Sequence, residues 1–219
     1  MQILVYADSL SWGIIPSTRL RLPFSKRWPG VLEQQLNTAN DATARGAIEP
    51  IRIVENCLNG RRTVWDDPFK PGRSGLAGIG QVIESYSPLA LAILMLGTND
   101  FQSVHQHTAA HSAQGIATLI TAIRNAPIEP GMVPPPILVL APPPFGTLTE
   151  TSAAKFEGAA RKSAGLAEAY RATCVALACG FFDAGEVVRV SARDGVHLDA
   201  DQHAELGKAL TVPVRLLLR

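Results

Sequence analysis

Apolar residues in this chain gather into five short, nearly continuous runs: Ile3–Tyr6, Ile51–Val54, Leu89–Leu96, Ile137–Ala141 and Gly180–Phe182. They do not alternate with polar residues. Continuous runs of that length fit strands buried on both faces, as in a parallel sheet. The stretches between them read as helices. Pro29 opens one that continues through Leu36, because proline is tolerated in a first helical turn. Gly78–Tyr86 and Ala110–Asn125 suit two more. The Ala-rich stretch Thr151–Ala178 reads as one long helix, or as two broken near Gly158 or Gly165. Asp201 is expected to cap a last helix running towards Leu218, with Pro213 kinking it.

Strand and helix alternate throughout, which predicts right-handed βαβ crossovers and a doubly wound parallel α/β sheet. There is no internal repeat. The loops near Ser17–Lys26, Asp66–Gly75 and Ala126–Pro136 carry Pro, Gly and charge and read as excursions within one domain, residues 1–219. In such sheets chemistry collects at the carboxyl ends of the strands.

Composition narrows the function classes. The chain has 219 residues, a formal net charge of +1 and 18% charged residues. That balance provides no field to draw it to nucleic acid or to anionic lipid. No apolar run is long enough to span a membrane. Three cysteines, Cys57, Cys174 and Cys179, are too few and too unevenly spaced for a disulfide framework or a zinc site, and read as small buried hydrophobes. The chain enters its first apolar run with no basic region or leader-like stretch before it, so the location expected is cytoplasmic.

The segments that follow the strands hold the chemistry. Ala7-Asp8-Ser9-Leu10-Ser11-Trp12-Gly13 follows the first, Asn56-Cys57-Leu58-Asn59-Gly60-Arg61 the second, and Gly97-Thr98-Asn99-Asp100 the third. Asp194-Gly195-Val196-His197 precedes the last helix. Serine is a poor nucleophile until a base takes its proton. An imidazole, with an ordinary pKa near 6.5, suits that task at neutral pH. His197 needs an acceptor on its other ring nitrogen, and Asp194 lies three residues before it. Ser9, Asp194 and His197 are therefore the candidate catalytic residues. Asp183, at the end of a predicted strand, is a rival partner for the histidine. The oxyanion of acyl transfer needs aimed donors. Three candidates are the backbone N–H of Ser9, the backbone N–H of Gly60 and the side-chain amide of Asn99.

These blocks resemble those of the SGNH hydrolases, the GDSL-type esterases, whose four defining letters fall on Ser9, Gly60, Asn99 and His197. Arg27-Trp28-Pro29-Gly30-Val31-Leu32, Met95–Asp100, Asp66-Asp67-Pro68, Pro142-Pro143-Pro144 and Phe181-Phe182-Asp183-Ala184-Gly185 resemble the small bacterial arylesterases and acyltransferases within that family. The resemblance covers nearly the whole chain. It departs at Ala7, where the family usually has glycine; alanine tolerates most conformations except positive φ, so the turn is expected to survive. The resemblance implies a flavodoxin-like five-stranded sheet, an acyl-enzyme, small-molecule ester substrates such as aryl acetates, acyl transfer to alcohols, no cofactor and a homo-oligomer. A carbohydrate acetyl esterase is the alternative within the class, ahead of a thioesterase or lysophospholipase. A flavodoxin-like binding module without catalysis and a redox flavoprotein are the alternatives outside it.

Other residues carry blander expectations. Ser9 alone would pass for a helix cap, and Asn99 and Gly60 for turn residues. Asp8 and Asp100 are expected to brace their loops. His105, His107 and His111 read as a solvated loop rather than a metal site. Arg61 is expected to pair with an acid of Asp66-Asp67. Gly75, Gly78 and Gly80 make no dinucleotide fingerprint. Trp12, Ile14 and Val196, with Phe145 behind a stiff Pro142-Pro143-Pro144 wall, are the expected lining of a small acyl pocket.

Overall fold

The computed structural model describes residues 1–18, 20–38 and 50–218. Arg19, in the predicted Ser17–Lys26 excursion, lies outside the described residues. Five strands, β1 (Gln2–Ala7), β2 (Arg52–Cys57), β3 (Leu91–Met95), β4 (Ile137–Ala141) and β5 (Gly180–Asp183), form one sheet in the order β2-β1-β3-β4-β5. Every pairing is parallel, and Tyr6 sits between Asn56 on one side and Leu94 on the other. This is the doubly wound α/β arrangement that the apolar runs predict.

The runs are continuous because both faces are covered. Leu4, Tyr6, Ala92, Leu94 and Val139 point into one core, while Ile3, Val5, Leu91, Ile93, Leu138 and Leu140 point into the other. Helices α1 (Ser9–Trp12), α2 (Trp28–Leu36), α3 (Ile79–Tyr86) and α4 (Ala109–Arg124) follow in chain order. After them come α5 (Glu150–Ala153), α6 (Ala159–Lys162), α7 (Leu166–Ala176), α8 (Ala200–Ala209) and α9 (Thr211–Leu217). Ile83 of α3, Ile120 of α4 and Tyr170 of α7 cover the first face. Trp28 of α2, Leu206 of α8 and Val214 of α9 cover the second. Among the described residues, no helix is long and apolar enough to cross a membrane. The three cysteines are free thiols, and burial pushes those of Cys57 and Cys174 up, away from the reactive thiolate.

Several boundaries differ from the expectation. The second strand runs on from Arg52 to Cys57, past the apolar run, because its far end pairs with the buried strand β1. The stretch 151–178 is neither one helix nor two but α5, α6 and α7, and both suspected glycines lie at breaks, Gly158 at φ +71° and Gly165 at φ +78°. A left-handed residue cannot continue a right-handed helix, and alanine propensity does not override that. Asp199, not Asp201, is the N-cap of α8, and Asp201 sits inside its first turn. Pro213 does not kink that helix. It lies in the first turn of the separate α9, where a missing N–H breaks no intrahelical bond.

Helices α2 and α8 are tied by a buried histidine. The Trp28 N–H donates to His203 Nδ1 at 3.2 Å, and the ring is fully buried. Burial, then the nearby Arg27 and His197, lowers its pKa to about 4. The folded chain therefore resists a proton that the unfolded chain accepts below about pH 6.5. Stability from this site is complete above that value and is lost as the pH falls towards 4. Asp8 and Asp100, raised to about 6 by burial, act in the opposite sense. Their contribution cancels when His203→Asn, which keeps an acceptor for Trp28, is compared with the parent. That comparison, by urea unfolding, should show the parent losing about 3 kcal/mol more than the variant between pH 7 and pH 4. An unchanged difference across the range would mean that the ring is not held neutral by the fold.

Candidate active site

The nucleophile candidate is placed by a helix cap. Asp8 is extended, and its Oδ1 accepts the Leu10 N–H at 2.9 Å, so Ser9 becomes the first residue of α1 immediately beyond β1. Ser9 is 7% exposed. Its Oγ lies 3.1 Å from His197 Nε2, and His197 Nδ1 lies 2.7 Å from Asp194 Oδ2. The other Asp194 oxygen accepts the backbone N–H groups of Val196 and His197, both at 2.9 Å. Burial works to raise the Asp194 carboxyl, but its bonds to the His197 ring and to those two N–H groups outweigh it and hold it at about 2. It is thus an ionised acceptor at neutral pH, which fixes the histidine tautomer with Nε2 facing the serine.

The loop that carries this pair is tied down on both sides. Ser152 Oγ donates to the Asp194 carbonyl at 2.6 Å, Ser17 Oγ donates to the Arg193 carbonyl at 2.9 Å, and the Ser191 N–H donates to the His197 carbonyl at 2.7 Å. Ser17 and Ser152 gave no signal in the sequence, since their partners are backbone atoms far along the chain. The rival carboxylate is not used. Asp183 Oδ1 caps its own turn by accepting the Gly185 N–H at 2.8 Å.

Asn99 is 2% exposed, on the 3₁₀ turn Thr98–Phe101 that follows β3. The turn needs glycine before it, because a Cβ on Gly97 would lie 2.3 Å from the Tyr170 hydroxyl. Asn99 Nδ2 donates to Asp8 Oδ2 at 2.9 Å and to the Arg61 carbonyl at 3.2 Å. Its Oδ1 accepts from Gln102 Nε2 at 2.8 Å. Gly60 adopts φ +85°. Among the described residues, neither the Ser9 N–H nor the Gly60 N–H has a hydrogen-bond acceptor. The structure thus brings Asn99 and Ser9 together through Asp8, and leaves two backbone donors open.

Asp8 and Asp100 do brace their loops, but through side chains as well as backbone. Asp8 joins α1 to Asn99. Asp100 accepts from the Thr63 N–H, the Thr63 hydroxyl and the Ser112 hydroxyl. The expected pairing of Arg61 with Asp66-Asp67 is corrected by one residue. Arg61 lies over the Tyr6 ring, 3.9 Å from its centroid, and donates to the Asn56 side chain at 2.8 Å. Arg62 is the one that meets Asp67, at 3.0 Å.

A cavity of about 280 Å³ opens beside His197, lined by Ile14, Ser17, Thr18, Ser152, Lys155, Phe156, Asp194 and Val196. Ile14 and Val196 are where the sequence placed them. Trp12 and Phe145 do not line it. The Trp12 ring has the Arg21 guanidinium 4.6 Å from its centroid, and Arg21 is itself paired with Glu55. Phe145 stands one ring behind, 5.3 Å from Phe156, and with Pro142-Pro143-Pro144, Thr98 and Phe101 it lines a second hollow of about 310 Å³. His105 and His107 lie half-buried in the loop before α4, and His111 lies exposed in its first turn. Trp65 stacks on His107 at 3.7 Å, His107 on His105 at 4.8 Å, and His111 meets His107 edge-on. Among the described residues, no group of three or more His, Cys, Asp or Glu side chains is placed to hold a metal ion.

A parallel five-stranded α/β sheet carrying a hydrogen-bonded Ser–His–Asp chain defines the class: an acyl hydrolase of SGNH architecture. Residues 8–205 match the GDSL-like lipase/acylhydrolase family, and the chain belongs to that family of carboxylic ester hydrolases. It is similar to the structure of the M. smegmatis aryl esterase, with 32% identity, 99% of each chain covered and a TM-score of 0.89. It is equally similar to a carbohydrate acetylesterase family member from Sinorhizobium meliloti, with 34% identity, 99% of this chain and 98% of that one covered, and a TM-score of 0.89. No curated protein sequence matches it.

Proposed function

We propose that the protein hydrolyses short-chain acyl esters, acetyl esters first, through an acyl-enzyme on Ser9. The observation that carries this reading is the hydrogen-bonded chain Ser9–His197–Asp194, whose His197 and Asp194 line a cavity of about 280 Å³. Small-molecule sites run from roughly 300 to 1,000 Å³, and this one falls just below that range. In the reaction, Ser9 Oγ attacks the acyl carbon as its proton passes to His197 Nε2. The tetrahedral oxyanion is met by the Ser9 N–H, the Gly60 N–H and Asn99 Nδ2. The C–O bond to the alcohol breaks, and Nε2 returns the proton to the departing oxygen. A water then repeats the sequence on the acyl-enzyme; an alcohol in its place takes the acyl group instead, which gives transfer.

Asn99 reaches the oxyanion by exchange. One amide hydrogen stays on Asp8, while the other leaves the Arg61 carbonyl, its longer contact, for an oxygen that is gaining charge. A charge-assisted bond is about twice as strong as a neutral one, so the exchange favours the transition state over bound substrate.

The cavity supports a second reading of the alcohol partner. Ser17, Thr18, Ser152 and Lys155 give it a polar side, with Phe156 as a flat apolar one. That combination suits an acetylated sugar as well as an aryl ester. Two measurements test the function. Nitrophenyl esters from acetate to palmitate should show kcat/KM falling beyond about four carbons, because a cavity of about 280 Å³ gives a long acyl chain little apolar surface on which to gain the roughly 0.8 kcal/mol per methylene that burial contributes. A steady rise beyond six carbons would replace this reading with that of a lipase or thioesterase. Acetate release from acetylated sugars at rates matching phenyl acetate would favour the carbohydrate reading.

A further inference from the structure

Asn99 belongs to a buried line of side chains whose direction is fixed at both ends. Arg62, fully buried, donates to Gln102 Oε1 at 2.6 Å. Gln102 Nε2 donates to Asn99 Oδ1 at 2.8 Å, and Asn99 Nδ2 donates to Asp8 Oδ2 at 2.9 Å. Asp8 is fully buried and Gln102 is 4% exposed. A second guanidinium nitrogen of Arg62 lies 3.0 Å from Asp67 Oδ2, which holds the arginine in place.

A carboxamide has a donor end and an acceptor end of nearly equal size, so packing alone sets its sense poorly. Here the two ends of the line remove the ambiguity. A guanidinium only donates, and a carboxylate only accepts. With Arg62 at one end, Gln102 must turn its oxygen to the arginine and its NH₂ to Asn99. Asn99 must then turn its oxygen to Gln102 and its NH₂ to Asp8. Turning Asn99 over would set its oxygen against both the Asp8 carboxylate and the Arg61 carbonyl, and its NH₂ against that of Gln102. Burial strengthens each link and prevents water from repairing a reversed one.

We propose that Gln102 and Arg62 are positioning residues for the reaction: they hold the Asn99 amide with Nδ2 on the Asp8–Ser9 side, ready for the oxyanion. Neither touches substrate. Arg62 acts on Gln102, and Gln102 on Asn99. The inference rests on the reading of Asn99 as an oxyanion donor, and a double-mutant cycle separates the two. Gln102→Met keeps the side-chain length but neither donates nor accepts through nitrogen or oxygen. It should lower kcat by roughly 10–100-fold, part of the ~10²–10³-fold owed to losing the donor outright, with KM within about twofold. In an Asn99→Ala background the same change should cost less than about twofold, because its effect passes through Asn99. A full additional loss in that background overturns the positioning role and leaves Asn99 as donor. An Asn99→Ala enzyme with parental kcat overturns the donor reading and the positioning role with it.

Gln102→Glu guards against a variant that merely unfolds. It is isosteric and ionised beside Arg62, but it can only accept. It should turn the Asn99 amide and lower kcat as much as Gln102→Met does, in a protein whose thermal midpoint stays closer to the parent's. Parental kcat in a folded Gln102→Glu enzyme would overturn the proposal.

Discussion

Ser9→Ala and His197→Ala should each lower kcat on phenyl acetate by about 10⁴–10⁶-fold, and combining them should cost little more than either alone. The nucleophile and its base act as one unit. Without Oγ there is no acyl-enzyme, and without Nε2 at 3.1 Å the hydroxyl keeps its proton. Asp194→Ala should cost about 10³–10⁴-fold, because the base survives but its tautomer and aim are lost. The aim comes from three bonds to one carboxylate, two from backbone N–H groups and one from the ring. With the Asp194 carboxyl held at about 2, this support persists down to strongly acidic pH. A serine-reactive phosphonate should label Ser9 in the parent and in Asn99→Ala, and should not label Ser9→Ala. Either of the first two variants turning over at a rate near the parent's would sink the assignment, whatever the other shows.

Asn99→Ala should lower kcat by roughly 10²–10³-fold, the scale of one oxyanion donor, and leave KM nearly unchanged. The reason lies in the ground state. Both amide hydrogens already have partners, Asp8 Oδ2 and the Arg61 carbonyl, so bound substrate gains nothing from the amide until its oxygen becomes charged. Steady-state kinetics on the variant decides it. A rise in KM with parental kcat would mean that Asn99 holds the substrate rather than the transition state. Removing the amide also leaves Asp8 with its Leu10 bond as the one remaining partner in this network, so a drop in thermal midpoint is expected beside the kinetic loss.

The expectation for the acyl pocket shows how side-chain roles divide between local pattern and tertiary context. Ile14 lies just past the end of the helix that Ser9 begins, and Val196 directly before His197, and both line the cavity. Trp12 is as near to Ser9, yet its ring faces the Arg21 guanidinium, whose partner Glu55 comes from β2. Phe145 follows β4 as expected, but Phe156, from the segment between α5 and α6, stands between it and the cavity. No spacing along the chain announces that order.

What the sequence determined by itself is what short-range physics encodes. Continuous apolar runs require strands covered on two faces, and the residues directly after those runs must then share one end of the sheet, which placed Ser9, Gly60 and Asn99 on common ground. Turn chemistry worked the same way: an aspartate three residues before a histidine found its ring within 2.7 Å. The tertiary structure decided everything that joins distant segments. Ser9 and His197 are 188 positions apart and meet only because the last loop folds back over the sheet. Arg62 rather than Arg61 took Asp67, because the backbone turn at Gly60 sends one arginine over Tyr6 and buries the next beside Gln102. Gln102 was within reach of sequence reasoning, since residues three apart eclipse on a 3₁₀ turn and Asn99 lies three before it. What gives that spacing meaning is Arg62 at one end and Asp8 at the other, and a hydrogen bond acquires its direction only from the partners that packing supplies.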